Sequence, residues 1–385
     1  MTVLLLPSPD GPVRYTMGEP AAFAPPATPL RSRVMLAAAH VVADPLADNT
    51  PGSPAVLDWD ATLACRRHLW RYGLGVAEAM DTAQRGMGLD WPAARELIKR
   101  SAAEAAATGG RLACGAGTDQ LAGPARSLDE IVAAYEEQCE AVEGAGAQVV
   151  LMASRALAAL ARGPEDYHHV YDRVLRQVSR PVIVHWLGPM FDPALQGYWG
   201  HTDLDAAAGC LLRIVTEHAV RVDGVKVSLL DAGREVALRR RLPDGVRLFT
   251  GDDFHYADLI LGDDHGHSDA LLGVLGAIAP AASAAIQALD AGEAARYRAI
   301  LAPTVPLARH MFGEPTQYYK TGVVFLAWLA GRQGHFRMAG GLESARSVPH
   351  LVRLFVLADR AGLLPDPELA ATRMRHFLAV AGADQ

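Results

Sequence analysis

Lysine is scarce in this chain. Only three of its 36 basic residues are lysine, Lys99, Lys226 and Lys320; arginine supplies the rest. Cysteine is scarce too. Cys65, Cys114, Cys139 and Cys210 are scattered and form no Cys-x-x-Cys pair, so neither a disulfide framework nor a local zinc site is expected, and the thiols read as buried groups in a reducing, cytoplasmic compartment. Positive charge is in deficit: 43 acidic residues leave a net charge of −7. With no basic block and no basic–aromatic stripe, the electrostatics argue against a nucleic-acid partner. No apolar stretch reaches membrane-spanning length, so no membrane partner is expected. The run Thr2–Leu6 is too short for a signal core and has no basic residues before it.

What is present is apolar bulk. Half of the 385 residues are hydrophobic, enough for a barrel of about 250 residues with an appendage. Residues 1–30 are proline-rich and read as an N-terminal extension, with a possible edge strand over 2–6. Strand-like runs then follow at 33–42, 75–80, 111–117, 146–152, 181–186, 222–231, 246–253 and 270–279. Helical segments alternate with them. Asp58 or Asp60 is placed to cap the first, Pro92 stands in the first turn of the next, and Ser127-x-x-Glu130 has the form of a capping box. Strands alternating with helices predict a parallel α/β fold. Eight such units favour a closed (β/α)8 TIM barrel over residues 31–290. Residues 291–385 read as a C-terminal helical extension.

Lys226 interrupts one of these apolar runs, with Val225 and Val227 on either side. A strand buried on both faces desolvates an ammonium, lowers its pKa and leaves free amine for attack on a carbonyl. The alternative is a strand-end lysine paired with a carboxylate such as Asp252. In a barrel the strands' carboxyl ends carry the chemistry. There the sequence places His40, Glu78, Asp81, Thr82, Gln84, Arg155, His185, Lys226, Asp252 and Asp253. His185, with an ordinary pKa near about 6.5, is suited to moving protons. Glu78 inside a barrel needs a cationic partner, Arg155 or Lys226. A separate cluster, His255 with Asp263-Asp264-His265-Gly266-His267, offers candidate metal ligands without a standard spacing. Lys320 is a rival lysine at a helix start, and Lys99 reads as solvated.

Three stretches in order resemble the dihydrodipicolinate synthase / N-acetylneuraminate lyase family of class I Schiff-base aldolases. Gly224-Val225-Lys226 is similar to that family's Gly-Ile/Val-Lys strand, Pro181–Pro189 to its strand-five Pro-x-x-x-Tyr-Asn-x-Pro motif, and Thr250-Gly251-Asp252-Asp253 to its Ser-Gly-Asp-Asp loop. The resemblance spans about residues 30–290 and implies a lyase in which Lys226 forms the imine, with no cofactor and a homodimer or homotetramer as the assembly. Two departures stand out. His185 occupies the place of the family's proton-shuttling tyrosine. Ala79-Met80-Asp81-Thr82-Ala83-Gln84 replaces the Gly-Thr-Thr-Gly-Glu loop that holds a substrate carboxylate. An aspartate there disfavours a pyruvate-type acid, so the expected substrate is a sugar-derived keto compound. Asp81, Thr82, Gln84, Glu78, Arg155, Asp252 and Asp253 are its expected binding residues, and Lys226 and His185 the catalytic ones. Two other functions fit the same barrel: a metal-dependent sugar isomerase, epimerase or aldolase using His255, Asp253 and the 263–267 loop with His265 and His267, or a sugar-binding barrel without catalysis.

Overall fold

The computed structural model describes residues 2–383. Its centre is a closed ring of eight parallel strands: β3 (Met35–Ala38), β4 (Gly75–Glu78), β5 (Leu112–Ala116), β6 (Gln148–Leu151), β7 (Val182–Leu187), β8 (Val222–Ser228), β9 (Arg247–Thr250) and β10 (Asp269–Leu272). Each pairs with the next in sequence, and β10 closes onto β3 through Leu271 opposite Leu36. The fold is therefore the (β/α)8 barrel that the alternating pattern predicts. Before it lies an antiparallel hairpin, β1 (Val3–Leu6) and β2 (Val13–Thr16).

Local chemistry sets the helix starts. The side chains of Asp58, Asp90, Ser127, Asp203 and Asp231 each accept a backbone N–H from the first turn of the helix that follows. Ser127 takes the Glu130 N–H as expected, but Glu130 turns its carboxylate to Arg126 N instead of closing the box.

The last strand is shorter than the sequence suggests. Only 269–272 pair in the barrel, and Leu275–Asp290 is helical. An unbroken apolar run carries no period to separate strand from helix. Here the alanines at 277, 279, 281 and 282 favour the helix after Gly273 ends the strand. Pro306 stands in the first turn of the helix Thr304–Met311, where a missing N–H leaves no helical bond unmade.

The barrel interior is filled in layers. Leu36, Ala77, Ala113, Val150, Ile183, Phe249 and Leu271 form an apolar floor. A Cβ on Gly224 would lie 2.6 Å from the Phe249 ring, so glycine on β8 is what lets that ring cross the barrel. Above this floor the inward positions turn polar.

The terminal segments meet on one side. Thr2 Oγ1 donates to Glu368 at 2.6 Å, and Tyr15 OH donates to Asp359 at 2.6 Å. The hairpin thus packs on the helices Val348–Arg360 and Pro367–Val380. A further helix of this C-terminal set, Tyr319–Leu329, lies against the mouth of the barrel.

Candidate active site

Side chains alternate along a strand, so residues two apart share a face. On β8, Gly224, Lys226 and Ser228 face the barrel axis and Val225 and Val227 face the helices. The β7–β8 ladder sets His185 opposite Lys226. Lys226 is 7% exposed, and its Nζ makes no hydrogen bond or ion pair among the described residues. It opens instead on a pocket of about 10 Å³, room for about one water, lined by Ala38, Asp81, Thr82, Ser228, Asp253 and Tyr319 among others. Gly251 opposite cannot carry a side chain: a Cβ there would stand 2.6 Å from Val227 O and 3.1 Å from Lys226 Cε.

Burial pushes the Lys226 amine down to about 8, against the upward pull of Asp81 and Asp253. Burial holds Asp253 up, at about 8, although the Val274 N–H bond and the Lys226 charge both act to lower it. Each shift favours the uncharged form, and the two groups titrate as a pair. His185 is 2% exposed and bonds Ser228 Oγ at 3.1 Å through Nε2. Burial, with the Lys226 charge beside it, keeps its pKa well below the usual histidine range, so the ring stays neutral.

A second cavity of about 900 Å³ begins where this pocket ends. Asp81, Met80 and Leu187 line both. His185, Thr118, Ser154, Arg155 and Asp192 add polar groups to its wall, and Leu121, Pro124, Ala159, Leu160 and Leu195 make the outer part apolar. Its volume lies at the upper end of the range for small-molecule sites.

The structure gathers part of the expected set. Lys226, His185, Asp81, Thr82, Arg155 and Asp253 all face these two cavities. Thr82 Oγ1 shares a 2.7 Å bond with the Tyr319 hydroxyl, and Arg155 Nε donates to Asp192 at 2.5 Å.

Glu78, Gln84 and Asp252 stand elsewhere. Glu78 has the outward parity on β4. It takes a two-pronged bond from Arg66 at 2.7 and 2.8 Å and a third from Ser101 at 2.6 Å, between barrel and helices. Gln84, at a left-handed φ of 65°, donates to Met87 O and Ala339 O and closes its own loop. Asp252 accepts from the N–H groups of Phe254 and His255 and from the His255 ring, so its oxygens are spent on the turn.

His255 is occupied by that contact. His265 and His267 belong to the loop that enters β10, hence to the opposite end of the barrel from Lys226. Among the described residues no group of three His, Cys, Asp or Glu side chains is arranged to hold a metal ion. His40 is buried against Gln333 Oε1 at 2.9 Å, which accounts for it as packing.

Two site residues have little signal in the sequence. Tyr319 comes from beyond the barrel and caps the lysine pocket, its ring stacked on Phe312 at 4.3 Å. Asp192 sits in the loop after β7 and meets Arg155 through the fold alone. Lys320, next to Tyr319, is 2% exposed; its Nζ contacts Met87 Sδ at 3.2 Å, behind the loop that follows β4.

Solved structures with a similar fold include dihydrodipicolinate synthases. That from Thermotoga maritima aligns with a TM-score of 0.63 at 16% identity, over 87% of this chain and 100% of its own. That from Aquifex aeolicus aligns at 0.62 and 13%, over 91% and 99%. That from Bacteroides thetaiotaomicron aligns at 0.62 and 16%, over 85% and 99%. The chain is thus a barrel of the dihydrodipicolinate synthase fold, and a divergent one. Its own family is the one described as a protein of unknown function, DUF993, whose profile matches residues 4–383; the chain belongs to it. No curated protein matches the chain.

Proposed function

We propose that this protein is a class I lyase, breaking or forming a carbon–carbon or carbon–oxygen bond in a hydroxylated keto substrate through an imine on Lys226. The observation that carries the reading is the state of that amine: buried, pulled down to about 8, free of any partner and open to a cavity. A lysine in this condition is a nucleophile near neutral pH.

The free amine adds to the substrate ketone, forming a C–N bond. Loss of the carbonyl oxygen as water leaves a protonated imine. That cation accepts the electron pair released when a neighbouring C–C bond breaks, or when an α-proton departs ahead of C–O cleavage. After C–C cleavage the enamine is reprotonated; on the C–O route it instead expels the protonated β-hydroxyl as water, giving an unsaturated iminium. Addition of water to the iminium then returns the ketone product and the amine. The cycle needs no cofactor. Thr82, Thr118, Ser154 and Arg155 supply donors for hydroxyl groups along the cavity, and neutral His185, bonded to Ser228, presents a polar ring without a charge next to the lysine. The same reading keeps the chain in the cytoplasm as a homodimer or homotetramer, to be checked by light scattering.

Borohydride reduction in the presence of dihydroxyacetone tests the imine. The expected result is a mass increase on the peptide containing Lys226, absent in Lys226→Ala. An adduct on Lys320 alone, or none with any ketone the protein turns over, refutes it.

A further inference from the structure

Resting on the reading of Lys226 as the imine-forming amine, we infer that Asp81 is the acid–base catalyst of the site: its carboxylate takes the proton that frees the amine and gives it to the hydroxyl that leaves as water.

The argument begins from position. Asp81 is the one ionisable side chain that lines both the lysine pocket and the large cavity. A substrate lying in the cavity with its ketone at Lys226 therefore passes it. The carboxylate is half-buried, and it accepts no hydrogen bond and closes no ion pair among the described residues. The other acids nearby are committed: Asp253 to Val274 N, Asp192 to Arg155, Asp252 to its own turn. His185 is held by Ser228 and kept neutral, so it is a poor source of a proton. The pocket that Asp81 and Lys226 both line holds about one water. That is the size of the oxygen that must be protonated and expelled.

Titratable groups face Asp81 from several elements. Lys226 faces it from β8, Lys320 and Tyr319 from the helix Tyr319–Leu329, and Asp253 from the turn after β9. Arg155 and Asp192 lie further along the cavity wall as a pair, and His185 stands uncharged on β7. Lys226 shares the small pocket with the carboxylate, while Lys320 lies behind the loop, its Nζ on Met87 Sδ at 3.2 Å and over the Tyr319 ring at 5.1 Å, within reach of the Asp81 charge.

The step balances. The Lys226 ammonium passes a proton to the Asp81 carboxylate, giving amine and carboxylic acid. The amine adds to the ketone, and its second proton moves to the carbonyl oxygen to give the carbinolamine. Asp81 then protonates that hydroxyl, the C–O bond breaks, water leaves, and the nitrogen lone pair closes the C=N bond. Asp81 is again a carboxylate, placed to take the next proton from substrate.

The test uses 2,4-pentanedione, which condenses with a reactive lysine to a coloured enaminone and releases water, so it follows imine formation without the natural substrate. Asp81→Asn is expected to slow enaminone formation at pH 7 by about 100-fold or more, although removing the Asp81 charge lowers the Lys226 pKa and leaves more free amine. Added formate is expected to restore part of the rate in Asp81→Ala, and Asp81→Glu to keep a tenth or more of the wild-type rate. Reaction of Asp81→Asn at the wild-type rate or faster overturns the proposal, because a mere counter-charge behaves so. A slow Asp81→Asn with no formate rescue and an equally slow Asp81→Glu overturns it also, since damage to the fold behaves so. Wild-type protein that never reacts at Lys226 removes the imine itself, a distinguishable failure.

Discussion

Lys226 and His185 are neighbours across the β7–β8 ladder, both turned to the barrel axis, and neither can hold a charge there without cost. One is a base made reactive by dryness. The other is kept neutral by the same dryness and by the first one's charge.

Lys226→Met is expected to abolish imine trapping and to stabilise the fold. In the native chain the amine sits at about 8 against its ordinary 10.5. A depressed lysine costs stability at its fullest below the folded value. Between pH 8 and 10.5 the unfolded chain holds the proton that the folded chain has released, so native stability rises with pH across that window. Urea unfolding at pH 7 is expected to show the variant more stable by about 1–4 kcal/mol, with its advantage shrinking towards pH 10.5. An advantage that does not change with pH removes the claim that the amine is strained by burial.

Arg66→Met is expected to destabilise the protein by about 3–5 kcal/mol, because it leaves the Glu78 carboxylate in the wall with no cation. Imine trapping per folded molecule is expected to stay near the wild-type level. A folded, stable variant with lost trapping would return Glu78 to the site.

The His185 ring is expected not to titrate between pH 5 and 8. Histidine ring spectra recorded across that range, with His185→Asn for assignment, read it directly. A midpoint near 6.5 for this ring contradicts the buried, lysine-facing position. It would also restore His185 as the proton carrier in place of Asp81.

Much of the fold was legible because strand burial and helix capping are local. Val182–Leu187 and Val222–Ser228 are apolar on both faces, and Asp58, Asp90 and Ser127 mark helix starts. The eighth strand was misjudged where alanine and leucine run on without a period. At the site, residues inside strand runs follow from strand order alone: successive barrel strands set His185 beside Lys226. Parity was the weak point. Glu78 sits one residue off the inward position Ala77, and a single step along a strand moves a side chain to the other face; Asp252, past the end of β9, is taken up by its turn. Tyr319 was out of reach for a different reason. Its meeting with Thr82 spans 237 residues and depends on how the C-terminal helices fold back over the barrel.

That meeting has a consequence for how such proteins diversify. The wall above the reactive amine is furnished by a helix outside the eightfold repeat, and its hydroxyl is tied to the loop after β4. Transplanting the strand-end residues onto a cousin with a different tail would carry over the amine but leave its chamber unroofed. The shape of this chamber thus belongs to the whole chain, and a change in the tail reshapes it while leaving every barrel residue in place.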